Sequence, residues 1–162
     1  MLKLLIFAPC EKIIVAQEGQ TSMIGIIEAV NVGVMEGIVA EAMIPFRWSI
    51  LTLWQRQGEV EKSVLYQERI TLLRPDGSEA LKVEAEFEVN NSFRDFRQNI
   101  DVPLLPAGVP GEYLLKLFLR KEPEDWTEFA TYPFLVTHNP VTNVEIKELK
   151  GVTVHEQNKA SE

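Results

Sequence analysis

The feature that most constrains this chain is a ladder of short segments with a period of two, separated by turn chemistry. The clearest rung is 81–89. Leu81, Val83, Ala85, Phe87 and Val89 fall on one side, and Lys82, Glu84, Glu86 and Glu88 on the other. Strict alternation predicts a strand in a sheet with one dry and one wet face. Just before it, Arg74-Pro75-Asp76-Gly77-Ser78 is a turn, since Pro presets φ and Gly accepts positive φ. Turn and polar face together predict an antiparallel hairpin with the strand over 62–73, which carries Val64, Tyr66, Ile70 and Leu72 on one side.

The same reading extends along the chain. Leu2 to Phe7 reads as a buried first strand, apolar on both faces apart from Lys3. Thr21 to Val34 is rich in Ile and Val, with Gly25 and Gly33 as bulge or close-approach positions, and a short helix over 24–30 competes there. The stretch 37–44 is ambiguous and ends at Pro45. In 46–57, Phe46, Trp48, Ile50, Thr52 and Trp54 share one face. Residues 90–97 read as a loop and 96–105 as a further strand, closed by Pro103 and Pro106. Glu112 to Arg120 places Tyr113, Leu115, Leu117 and Leu119 together, and Trp126 to Thr137 is the last clear strand, with Pro133 marking an edge or bulge.

Seven to nine strands with no long amphipathic helix predict an all-β fold, a two-layer antiparallel β-sandwich of immunoglobulin-like or C2-like type. The sandwich is expected over 1–138, an added edge strand over 139–154, and a disordered tail over 155–162. At 162 residues one domain can hold a substantial core. Tyr113, after Pro110-Gly111, is expected to act as a corner residue whose hydroxyl bonds nearby backbone.

The order of features resembles an uncharacterised bacterial family of small β-sandwich proteins, a domain of unknown function. The resemblance covers about residues 2 to 137. It is carried by Gly19, Met23-Ile24-Gly25-Ile26-Ile27, Pro45, Pro75-Asp76-Gly77 and Pro110-Gly111-Glu112-Tyr113. The stretch between Asn31 and Ile44 is longer than that pattern. The resemblance implies the fold and a bacterial origin, and it carries over no activity and no functional residue.

Composition narrows the function classes. A net charge of −8 opposes binding to nucleic acid or to an anionic membrane. The single Cys10 excludes an intrachain disulfide, and the apolar run at the start is too short for a signal h-region, so a cytoplasmic location is expected. His138 and His155 cannot supply a zinc set with one cysteine. No cofactor is expected, because neither a glycine-rich phosphate loop nor a nucleophile elbow occurs.

The residues left as candidate partner or ligand contacts are Arg94 and Arg97, in Phe93-Arg94-Asp95-Phe96-Arg97, and the rings of Trp54 and Trp126. The favoured reading is a non-enzymatic module that binds a protein partner or itself, through strand edges or the segment Val141–Val154. A lectin-like module binding carbohydrate or calcium is the first alternative, using Trp54, Trp126 and acidic turns such as Asp76, Glu79, Glu124 and Asp125. A hydrolase built on Glu84, Glu86 and Glu88 is the second. Alternation with apolar residues already explains those glutamates as a solvated face, with Arg69 offsetting their charge.

Overall fold

The computed structural model describes residues 1–17, 20–34 and 37–141. Every regular element among them is a strand. In chain order these are β1 (Leu2–Val15), β2 (Thr21–Ile26), β3 (Ala29–Val34), β4 (Met43–Ile44), β5 (Trp48–Arg56) and β6 (Val64–Leu73). They are followed by β7 (Glu79–Val89), β8 (Asp95–Val102), β9 (Leu105–Pro106), β10 (Gly111–Lys121) and β11 (Thr127–Pro140). A four-stranded sheet runs β2-β1-β5-β8 and a five-stranded sheet runs β3-β11-β10-β6-β7, with β4 and β9 forming a small separate pair. The protein is an all-β sandwich.

The strand order decides between the two sandwich types expected. β1, β5 and β8 occupy the A, B and E places of an immunoglobulin arrangement; β6, β10 and β11 occupy C, F and G, with β7 beside C. Among the described residues the strands number eleven rather than seven to nine. The excess comes from the two-residue pair β4 and β9, and from 21–34, which is neither one strand nor a helix. The chain leaves the four-stranded sheet at Ile27–Glu28 and enters the other sheet as β3. There it pairs with β11 in parallel, so the sandwich is antiparallel except at this junction. The Leu135 N–H donates to the Glu28 carbonyl at 3.0 Å and fixes the crossing.

The hairpin expected around Asp76-Gly77 is present, with Ile70 opposite Val83 and Tyr66 opposite Phe87. Asp76 accepts from the Ser78 amide at 2.9 Å and from its hydroxyl at 2.7 Å, which closes the turn. Leu115, Leu117, Ile70 and Leu72 point between the sheets and meet Trp48 and Ile50 from the other layer, all fully buried. Each such side chain contributes about 1.5–3 kcal/mol by leaving water. Loop backbone near 39–40 lies against Gly108, where an added Cβ would sit 2.2 Å from the Val39 carbonyl oxygen. Only glycine permits that approach.

At the start of β10 the Tyr113 hydroxyl donates to the Val109 carbonyl at 2.9 Å, and its ring stacks on Phe134 with centroids 5.6 Å apart. The corner role read from the sequence is therefore what the structure holds. Pro133 sits where β11 is paired on one side only, since β3 begins its pairing at Leu135. His138 lies within β11 rather than at a domain end, with ring Nε2 2.6 Å from the Ala107 carbonyl. Asn139 and Pro140 continue β11 against Gly33 and Val34, so the ordered sheet passes the boundary expected at 138. The edge strand expected over 139–154 and the tail over 155–162 lie, beyond Val141, outside the described residues. No helix among the described residues is long and apolar enough to cross a membrane.

Candidate functional site

β1 is longer than any partner it has in its sheet. From Leu2 to Cys10 it pairs with β5; at Cys10 it also meets β2, and from Lys12 to Val15 it pairs only with β2. The two strands leave the sheet together as a hairpin arm. The arm reaches back across the outer face of the four-stranded sheet, where Arg97 of β8 donates to the Thr21 hydroxyl at the start of β2. A cavity of about 600 Å³ lies beneath one flank, between Thr21 and Met23 of the arm and Ile6, Leu51 and Leu53 of the sheet. A second, of about 690 Å³, lies beneath the other flank, with Ile13 facing Ser49 and Asp101.

This roof explains a burial pattern that a two-layer sandwich leaves unexplained. Cys10, Ser49 and Leu51 lie on the side of β1 and β5 away from Trp48 and Ile50, yet they are 0%, 6% and 2% exposed. Burial pushes the Cys10 thiol above its ordinary range, so it is a packed side chain rather than an activated thiolate. The Ser49 hydroxyl donates to Asp101 at 2.6 Å. On the other side of the arm Ile14, Ile24 and Ile26 are 41–53% exposed, with exposed Lys12 paired beside Ile24.

A polar cluster sits between the sheets. Glu68 on β6 occupies an inward position and has no exposed surface. The Trp54 indole N–H donates to its Oε2 at 2.6 Å, and the Thr52 hydroxyl lies 3.0 Å from both carboxyl oxygens. No cation pairs with it among the described residues. Burial therefore pushes its pKa up, against the opposing pull of those two donors. The sequence carried a sign of this cluster. Glu68 and Thr52 each interrupt an apolar face, in strands that pack against each other, and a buried carboxyl needs donors from the facing layer.

The four candidate contacts are not brought together. Trp54 is fully buried and holds Glu68, its ring meeting Phe129 edge-on at 5.1 Å. It is a core residue and not a ligand platform. It shares the apolar face of Trp48 and Ile50, and Phe129 of β11 packs against it. Trp126 is half-buried on the outer face of the five-stranded sheet, clamped by the Arg69 guanidinium at 4.0 Å and Arg120 at 4.6 Å. The ring is thus engaged by two cations, and with Trp54 in the core these two rings do not form a sugar platform.

Arg94 is exposed and lines a shallow recess with Arg56, Gln57 and Gly58. Arg97 is exposed too and tethers the arm. Phe96 is buried, whereas Phe93 is 63% exposed. Among the described residues no three of His, Cys, Asp and Glu converge on a point where they could hold a metal ion. Glu84 is engaged by Arg69 at 2.7 Å and Lys82 at 3.1 Å, and Glu86 by Gln67. These contacts draw the Glu84 pKa down, the reverse of what a general acid requires.

No family model matches the chain, and no curated protein matches it. Among solved structures it is similar to the N-terminal domain of PorA, at 9% identity over 82% of this chain and 97% of that one, with a TM-score of 0.27. A likeness this low bears on neither fold nor function, so the immunoglobulin-like assignment rests on strand order alone.

Proposed function

We propose that this chain is a non-enzymatic interaction module whose contact surface is the β1–β2 hairpin arm. The observation that carries the reading is the set of exposed Ile14, Ile24 and Ile26 on the water-facing side of this hairpin. Soluble domains seldom leave clustered apolar side chains in water unless something covers them. A net charge of −8 favours a protein contact over nucleic acid or an anionic membrane. The reduced, buried Cys10 suits the cytoplasm.

Photo-crosslinking in the producing host tests this, with p-benzoylphenylalanine placed at Ile14 or Ile24 and, as control, at Lys82 on the opposite sheet. The module reading expects a discrete protein adduct from the arm positions and none from Lys82. Arm positions that give no adduct would remove the arm from the reading.

A further inference from the structure

Among the described residues four strands form the edges of the two large sheets, and their chemistry differs. β7 exposes Lys82, Glu84, Glu86 and Glu88, and β8 carries Asp95, Arg97 and Asp101. Charges of this kind are how a sheet edge discourages pairing with another chain. β3 is uncharged, but its outward residues Ala29, Asn31 and Gly33 are small or polar. β2 alone combines an uncharged edge with large exposed apolar side chains, Ile24 at 47% and Ile26 at 53%. Its backbone bonds run to β1, and its other side is unpaired. Over the whole arm, residues 10–27, the charged side chains are Glu11, Lys12 and Glu18, which sum to −1, and none of them is on β2.

The choice of occupant follows from that distribution. In a two-fold contact each patch meets its own copy, so a patch carrying net charge repels itself. Two chains of charge −8 also repel as wholes, and a strand without charged side chains is a surface on which they can approach closely. We propose that β2 pairs antiparallel with β2 of a second copy of this chain, giving a dimer whose joined arms form a sheet with two strands from each copy. This rests on reading the arm as a contact surface and names its partner. Ile24 and Ile26 lose their water on pairing, and β2 gains the second ladder it lacks.

Sedimentation of the full chain, from sub-micromolar to hundreds of micromolar, tests the inference. A monomer–dimer equilibrium is expected, tightening as salt screens the net charge. Ile24→Lys and Ile26→Lys each place like charges across the two-fold and are expected to weaken dimerisation about a hundredfold. Ala29→Lys on the β3 edge changes the net charge by the same amount and does not weaken it. Both isoleucines are exposed in the monomer, so thermal melts of the variants should match the parent. Hydrogen exchange of the Thr21–Ile26 amides slows as concentration rises.

A chain that stays monomeric throughout overturns the inference, and so does a dimer indifferent to both arm variants. A monomer whose arm crosslinks to a different protein overturns it while leaving the module reading intact. Arm positions that crosslink to nothing defeat both.

Discussion

Glu68 and Glu84 stand on the two strands of one hairpin, and their carboxyls are driven in opposite directions. Glu68 points between the sheets, where desolvation raises its pKa and only Trp54 and Thr52 oppose that. Glu84 points to solvent, where hydrogen bonds from Lys82 and Arg69 lower it. Arg69 is the residue next to Glu68, and one step along the strand exchanges a dry surrounding for a wet one. Side-chain type therefore says little about a carboxyl on this hairpin, and strand face decides its titration.

The interior half of the comparison should give the largest effects. Trp54 has no exposed surface and supplies the shortest bond to Glu68. Trp54→Ala both opens a cavity and strands a buried acid, so it should cost about 3–5 kcal/mol in urea unfolding. Trp54→Phe keeps most of the ring and removes the N–H, and should cost about 1–3 kcal/mol. If the two variants proved equally destabilising, packing would play no separate part and the cluster would be wholly electrostatic.

Glu68→Gln tests the sign. A carboxyl whose folded pKa lies above its unfolded value binds more protons in the folded state, so its contribution is greatest below the unfolded value, near 4.5, and is lost as pH rises through the raised folded value. Glu84 has a depressed pKa, so its contribution is present above its unfolded value and lost as pH falls. Wild-type stability should thus carry a component that declines from mildly acidic toward neutral pH. Glu68→Gln should lack it. Parallel pH profiles for the two proteins would show that Glu68 does not titrate in that window.

The hairpin holding both glutamates was legible in the sequence, because β7 alternates strictly and Asp76-Gly77 fixes the turn. Tyr113 was legible for a related reason, since a tyrosine after Pro110-Gly111 has a defined job at a sandwich corner. The arm was not. The sequence pattern carries the first strand only to Phe7, although β1 runs to Val15, and a short helix competes over 24–30; nothing local announces that the two strands leave the sheet beyond Cys10. Trp54 was misplaced because its exposure depends on β11, more than seventy residues away in sequence. Glu68 passed unremarked because the apolar positions on either side of it dominated the face. Periodicity finds strands well, but a layer made by long-range folding of one strand over another leaves no period.

Tyr113→Phe sharpens the comparison at an intermediate scale. The ring is fully buried against Phe134 and its hydroxyl makes one backbone bond. Losing that bond should cost about 1 kcal/mol, between the core deletions and any outer-face change. An unchanged urea midpoint would mean that the Val109 carbonyl finds water without loss.

The smallest effect should come from the outer face of the same sheet. Glu84 is 47% exposed at its side chain and Arg69 27%, so water and salt compete for both. Arg69 also lies against Trp126, a contact that does not need Glu84. Glu84→Gln should therefore leave the unfolding midpoint where it is at physiological salt and lower it measurably only at low ionic strength. Indifference to salt would mean that Glu84 acts through shape rather than charge. A loss as large as that of Tyr113→Phe would show that the wet face of the hairpin is held as firmly as the dry one, and the contrast between Glu68 and Glu84 would then concern titration alone.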